Sequence, residues 1–125
     1  MSESEYQIHK AIVEWLDMAL PDGCVFHHSP NETGQRAGVG LIQKRKRLGV
    51  RSGWPDLEIY INRTWWSSNG PWHVVFLEIK TEKGRVSKNQ KEIGADLVMA
   101  GQRVHIVRSI DDCREVLSNY CKLKA

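Results

Sequence analysis

The sequence contains few cysteines, and they are not arranged as a disulfide framework or a thiolate metal site. There are three, Cys24, Cys113 and Cys121, and no two of them form a C-x-x-C pair. Long apolar runs are also lacking, and residues 1–3 begin an acidic segment unlike a signal peptide. The sequence therefore predicts a cytoplasmic protein, and its 125 residues suffice for one domain with a single core.

The histidines are few and are not spaced as zinc ligands. His27 and His28 are adjacent on a predicted strand, so their side chains point to opposite faces, and His73 lies in a distant segment. No cysteine lies at ligand spacing from them, which disfavours zinc. His28 is close to Asn31 and Glu32 and could contribute to the rim of a site, although a structural role is the alternative.

Acidic residues are almost absent from two segments, although the net charge of the chain is only +3. Residues 35–51 contain six basic residues and no acid, and residues 80–91 contain five basic residues and one acid. Such segments favour a polyanionic partner, because phosphate contacts dominate nucleic-acid binding. A solvated helix face is the alternative interpretation. The candidate DNA-binding residues are Arg36, Lys44, Arg45, Lys46, Arg47, Arg51, Lys83, Arg85 and Lys88.

Apolar periodicity and turn residues divide the chain into helices and strands in the order α–β–(α)–β–β–α–β–α. A hairpin-linked pair of strands followed by a helical crossover to another strand predicts a mixed sheet. We therefore predict an α/β fold in which helices cover both faces of a central mixed sheet. The predicted elements are a helix ending before Pro21, a strand at 25–28, a weak basic helix at 35–48, strands at 54–61 and 73–80, a helix from Ser87 to Gly101, a strand at 104–107 and a helix after Ser109.

Charged side chains occur at the ends of the two strands predicted at residues 54–61 and 73–80. Glu78 and Lys80 project from one side of their strand, because alternate residues on a strand share a face. Asp56 begins the neighbouring strand, just after a proline. Two carboxylates and a lysine at the end of paired strands suit a divalent cation with a water molecule beside it.

Each of these residues also has a simpler interpretation. Asp56 could be a turn residue, and Glu78 with Lys80 could form a surface ion pair that contributes under ~1 kcal/mol. Glu58 lies on the same strand face as Asp56 and could be a second ligand or an edge glutamate in solvent.

Three motifs, considered together, resemble the PD-(D/E)XK nuclease signature. Residues 53–56 are G-W-P-D, residues 78–80 are E-I-K and residues 87–90 are S-K-N-Q. More narrowly, they resemble the G-x-P-D, E-x-K and S-x-x-Q pattern of the virus-type replication–repair nuclease (VRR-NUC) domain. The resemblance covers nearly the whole chain and implies a restriction-endonuclease-like αβββαβ core, here with an inserted basic helix and a C-terminal helix.

The resemblance implies hydrolysis of DNA phosphodiesters with Mg²⁺ or Mn²⁺. It assigns the metal to Asp56, Glu78 and the backbone carbonyl of Ile79, and a further acidic ligand is expected from Glu14 in the first helix or from Glu32 in the following loop. Gln90 could serve the site or only cap its helix. The catalytic residues that the resemblance implies are Asp56, Glu78, Lys80 and Gln90.

Tryptophans cluster in the segment that joins the two central strands. Trp65, Trp66 and Trp72 could stack on unpaired bases, form a dimer contact, or pack on one another. Arg63, beside them, is a further candidate for a contact with the DNA backbone.

The sequence therefore predicts a metal-dependent, structure-selective DNA endonuclease. The resemblance implies a homodimer that cuts Holliday junctions or other branched DNA in phage or bacterial replication and repair. A sequence-specific restriction-type nuclease and a non-catalytic DNA-binding module are the alternatives.

Overall fold

The structure is a computed structural model that describes residues 1–30, 38–70 and 73–125. The order of helices and strands is the predicted one. Glu32, Arg36 and Trp72 lie outside the described residues. The elements are α1 (Glu3–Ala19), β1 (Val25–His28), α2 (Val39–Arg47), β2 (Leu57–Tyr60), β3 (Val74–Ile79), α3 (Lys88–Met99), β4 (Arg103–Val107) and α4 (Ile110–Ser118).

The four strands form one mixed sheet in the order β1-β2-β3-β4. The pairs β1–β2 and β2–β3 are antiparallel, whereas β3–β4 is parallel because α3 forms the crossover between them. The sheet and its flanking helices confirm the predicted α/β class. The strand that contains Leu57 is shorter than predicted, because Pro55 has no backbone N–H for a ladder.

One face of the sheet packs against α1 and α4 to form the core. Strand alternation places Leu57, Val75 and Leu77 on this face, where each is fully buried. Ile12 and Leu16 of α1 meet them, because their spacing of four residues gives that helix one apolar stripe. Most of the buried apolar side chains lie on this face, and their packing fixes the central strands in place.

The opposite face of the sheet is covered more loosely, by α3 and by the indole of Trp54. Phe76 and Glu78 of β3 point to this side, and Trp54 meets Phe76 edge-to-face with ring centroids 6.0 Å apart. Of the α3 residues, only Leu97 is buried, and α2 buries none. Among the described residues, no helix is long and apolar enough to span a membrane.

The loop before β2 lies directly against the first turn of α3. Gly53 has φ +88°, and a Cβ there would lie 2.5 Å from the carbonyl carbon of Asn89 and 2.8 Å from the amide nitrogen of Gln90. Asn89 also donates a hydrogen bond from Nδ2 to the Ser52 hydroxyl, at 3.1 Å. A residue without a side chain is therefore required where the loop that leads to Asp56 meets α3.

We expect Gly53→Ala to destabilise the protein more than Gly49→Ala does. Gly49 has a similar φ of +94° but nothing within 4 Å of its Cβ position. Its substitution therefore measures only the cost of a side chain in the left-handed conformation, about 1–2 kcal/mol. Displacement of α3 should add about 1–3 kcal/mol for Gly53→Ala. Urea unfolding of both variants measures the difference, and equal losses would show that the close approach costs nothing.

Candidate active site

The antiparallel register of β2 and β3 brings Asp56 and Glu78 together. Leu57 pairs with Leu77, so one step further along the ladder Asp56 stands opposite Glu78 on the loosely covered face. Oδ2 of Asp56 accepts a hydrogen bond from the backbone N–H of Ile79, at 2.7 Å. The Asp56 carboxylate is therefore attached to the strand that carries Glu78.

Glu78 is a buried carboxylate, with only 5% of its surface exposed. Burial is the main cause that raises its pKa to about 9, followed by a hydrogen bond with Asp56 and the negative charge of Asp56. The positive charge of Lys80 lowers the pKa but does not cancel these effects. Two carboxylates in contact therefore hold a proton that a bound cation could replace.

Gln90 of α3 caps its helix and contacts Glu78 at the same time. Its Oε1 accepts a hydrogen bond from the backbone N–H of Ser87, at 2.8 Å, which completes the capping box. Because that oxygen is used by a donor, the amide nitrogen faces the site, and Nε2 donates to Oε1 of Glu78 at 3.0 Å. The two roles weighed for Gln90 are thus compatible.

Lys80 follows β3 directly and is half-buried, and its backbone N–H donates to the carbonyl of Val107. The loop after it is held by Arg108, whose Nη1 donates to the carbonyls of Thr81, Glu82 and Gly84 at 2.6, 3.2 and 2.7 Å. Sequence analysis did not identify Arg108, which fixes the segment between Lys80 and the basic residues Lys83 and Arg85.

A further acidic residue, Glu5 at the start of α1, acts on the site through its charge. Its negative charge raises the pKa of Glu78, whereas Glu14 is exposed to solvent. Sequence analysis did not identify Glu5. The spacing held a usable signal, because Glu5 precedes Ile8, His9 and Ile12 by three, four and seven residues and so shares the core-facing side of α1.

Glu58 shares the strand face of Asp56, but its carboxylate has other partners. Oε1 accepts from the indole Nε1 of Trp54 at 3.0 Å, and Oε2 accepts from the Tyr60 hydroxyl at 3.3 Å. Glu58 therefore packs within an aromatic cluster beside the site, and its two oxygens are not directed at Glu78.

The donor set fits a hard divalent cation that keeps several water ligands. Asp56 and Glu78 supply carboxylate oxygens, and the carbonyl of Ile79 is the backbone oxygen between Glu78 and Lys80. In the described part of the chain, no three His, Cys, Asp or Glu side chains form a metal-binding cluster. Such a cation would thus be held mainly by two carboxylates, few enough ligands to suit Mg²⁺ or Mn²⁺ but not a closed zinc site.

Basic side chains line the loosely covered face next to the site. Within α2, Lys44, Lys46 and Arg47 are exposed and Arg45 is half-buried. A groove of about 660 Å³ separates this helix from the start of α3 and is lined by Arg45, Lys46, Arg47 and Arg51. Lys83 and Arg85 are exposed in the loop after Lys80, and Lys88 is exposed at the start of α3, where it forms an exposed pair with Glu92.

The tryptophans of the central connection contact other parts of the fold. Trp66 stacks on Tyr120 with ring centroids 5.2 Å apart, and the guanidinium of Arg103 lies 4.8 Å from its ring centroid. The Trp65 indole donates to the carbonyl of Asp22 at 2.8 Å and remains 40% exposed. These contacts favour local packing over base stacking, most clearly for Trp66.

Comparison with known proteins identifies the family and the fold. The sequence model of the VRR-NUC domain matches residues 3–111. A solved structure described as a VRR_NUC domain protein superposes with a TM-score of 0.72 at 26% sequence identity, covering 96% of this chain and 89% of that one. No curated protein matches the sequence significantly.

We expect Glu78→Gln to stabilise the metal-free protein at neutral and alkaline pH. The folded protein keeps Glu78 protonated up to a pKa of about 9, whereas the unfolded chain ionises it near 4.5. The contribution of protonated Glu78 to the stability of the fold is fully present below pH 4.5 and is lost as the pH rises towards 9. Glutamine does not ionise and so avoids this loss. The free energy of unfolding at pH 8 should therefore rise by more than about 1 kcal/mol, since a shift of one pKa unit corresponds to about 1.4 kcal/mol.

Urea unfolding in EDTA at pH 5, 6.5 and 8 measures this effect. The difference between Glu78→Gln and the wild type should widen with pH. Glu14→Gln is the matched control, because that residue is exposed and its substitution should change stability by less than about 0.5 kcal/mol. A Glu78→Gln variant that is less stable than the wild type at pH 8 would contradict the raised pKa.

Proposed function

Because the chain belongs to the VRR-NUC family and is a nuclease-type domain, we propose that it is a metal-dependent, structure-selective DNA endonuclease. In this proposal it hydrolyses phosphodiester bonds in Holliday junctions or other branched DNA and acts as a homodimer. The observation that carries the proposal is the meeting of Asp56 and Glu78 beside Lys80, at the same end of the sheet.

In this proposal Asp56, Glu78 and the carbonyl of Ile79 hold Mg²⁺ or Mn²⁺, with Glu5 as the additional acid. Such an ion, when bound, lowers the pKa of a water molecule, orients the phosphate and offsets charge on its oxygens. Glu78 would serve as a ligand in its ionised form, and its proton would be released to solvent. The hydrogen bond from Gln90 then favours the ionised carboxylate and keeps it directed at the site.

Lys80 supplies the positive charge that belongs to the chain itself. Its ammonium group, next to the carboxylate pair, orients the attacking water or donates to phosphate oxygens as negative charge develops on them. Arg108 supports this role indirectly, because it fixes the carbonyls of the loop that leaves Lys80.

DNA binding is supported by the distribution of charge. The basic groove lies between α2 and the start of α3, and Lys83 and Arg85 are exposed in the loop that follows Lys80. Lysine and arginine in such positions bind the phosphate backbone without reading sequence, which suits an enzyme that recognises the shape of DNA. A branched substrate would bring phosphates to both basic regions.

A homodimer is supported by apolar side chains exposed on α3 and β4. Val98, Met99 and Ile106 are 56%, 87% and 46% exposed, around an open, mostly apolar groove of about 510 Å³. Apolar groups clustered in this way commonly mark an interaction surface. The same face bears Glu78 and Gln90, so a second copy seated there would lie next to the site.

We expect the protein to cleave labelled four-way junctions in Mg²⁺ or Mn²⁺ and to cleave linear duplex of the same sequence poorly. Asp56→Asn should lower the rate at least about 100-fold because it removes a carboxylate ligand, and Lys80→Ala should do the same because it removes a donor to the developing charge. Gel assays with junction, flap and duplex substrates, in metal and in EDTA, measure these rates.

The matched controls for these variants are Asp17→Asn and Lys122→Ala, which change exposed residues elsewhere and should cleave like the wild type. Junction cleavage that survives Asp56→Asn or Lys80→Ala would overturn the site. Cleavage of unbranched duplex at defined sequences would instead favour a restriction-type nuclease. Binding in EDTA that weakens steeply with salt, with no cleavage in either metal, would favour a non-catalytic DNA-binding module.

We expect light scattering at micromolar concentration to give twice the 14.3 kDa mass of one chain. Met99→Glu should shift the mass towards the monomer, because it places a charge in the exposed apolar surface of α3. Met18→Glu, at a 64% exposed position on α1, should leave the mass unchanged. A monomeric wild type would refute the dimer, and a dimeric Met99→Glu variant would place the interface elsewhere.

A further inference from the structure

We propose that His28 is a positioning residue that holds Asp56, and with it the first turns of α1, in the arrangement the active site needs. The inference rests on the proposed function, since it concerns how the same site is kept in order. It is carried by two contacts of one imidazole ring. One is with the backbone of Asp56, and the other is with a buried histidine of α1.

The first contact is a hydrogen bond to the backbone of Asp56. Nδ1 of His28 lies 2.8 Å from the Asp56 carbonyl oxygen, which also accepts from the backbone N–H of Ser29 at 3.0 Å. A carbonyl oxygen can only accept, so Nδ1 carries the proton. The Ser29 bond continues the β1–β2 ladder, whereas the His28 bond is an additional link at the residue that supplies the carboxylate.

Asp56 is thereby held from two strands. Its carbonyl is bound from β1 by His28 and Ser29, and its carboxylate accepts from Ile79 of β3. The residue lies before the first ladder pair of β2, where backbone pairing alone restrains it less. A second bond on the carbonyl limits rotation about the backbone and so sets the direction of the side chain.

The second contact joins the site to α1. The rings of His28 and His9 meet edge-to-face with centroids 4.5 Å apart, and His9 is 8% exposed. Glu5, whose charge acts on Glu78, lies one helical turn before His9. His28 therefore contacts both the strand end that presents Asp56 and the helix that presents Glu5.

Four substitutions at His28 distinguish the role of the Nδ1 donor from that of the ring, and alanine removes both. Asparagine places its Nδ2 where Nδ1 stood, phenylalanine keeps the ring against His9 without a donor, and glutamine places its amide near the Nε2 position. His28 is exposed, so the variants should fold, and circular dichroism checks this. His27→Ala is the matched control, because that exposed neighbour points to the opposite face of β1.

Binding of Mn²⁺ alone, measured by calorimetry, is the first measurement. His28→Ala should weaken binding about tenfold to a hundredfold, as is usual when a group that orients a ligand is lost. His28→Asn should recover most of that loss, His28→Phe only part of it, and His27→Ala should bind like the wild type. Recovery by His28→Gln but not by His28→Asn would overturn the proposal, because it would assign the role to Nε2.

The second measurement needs neither metal nor DNA. The amide proton of Ile79 reports the hydrogen bond to the Asp56 carboxylate, so its NMR shift and exchange protection should change in His28→Ala and stay near wild-type values in His28→Asn. An unchanged Ile79 amide in His28→Ala would overturn the positioning role. Absence of Mn²⁺ binding or cleavage in the wild type would instead refute the proposed function.

Discussion

The contact between the carboxylates of Asp56 and Glu78 is the constraint around which the rest of the molecule is arranged. Two acidic groups side by side, one of them almost fully buried, are unfavourable unless a proton or a cation lies between them. The fold maintains this arrangement with a fully buried apolar layer on the far face of the same two strands. Because Leu57 and Leu77 are fixed in that layer, the residues next to them cannot separate to relieve the repulsion.

The loosely covered face follows from the same constraint. The proposed function requires water, a cation and a substrate to reach the acidic pair, and α3 would prevent this if it closed over that face as α1 closes over the other. The helix is held at its first turn, by the contact of Gly53 with Asn89 and by the bond from Gln90 to Glu78. Towards its end, Val98 and Met99 are left exposed. The first turn of α3 is therefore held firmly next to the acidic pair. The last turn leaves apolar side chains exposed that another protein surface can cover.

The fold class and the central pair of strands could be predicted from the sequence. The signals used, the alternation of side chains along a strand and the proline before Asp56, reflect local backbone geometry. The sequence also identified Glu78 and Gln90 as candidate site residues. Only the structure shows that the Gln90 amide both caps α3 and donates a hydrogen bond to the Glu78 carboxylate. Glu5, whose charge acts on Glu78, was missed although its spacing places it on the core-facing side of α1, because an acidic residue in the first turn of a helix is also expected to favour the helix dipole. Arg108 was missed since its partners are three carbonyls, which no side-chain pattern encodes.

The site is therefore held from three directions by groups that do no chemistry. Arg108 fixes the loop beyond Lys80, the α3 cap fixes the amide on Glu78, and β1 fixes Asp56 through its carbonyl. Each of these links ends on a backbone atom, either of the loop, of the helix start or of the strand end. Because each link ends on a backbone atom, it restrains the positions of Asp56, Glu78 and Lys80 without placing a further charged group on the carboxylate pair.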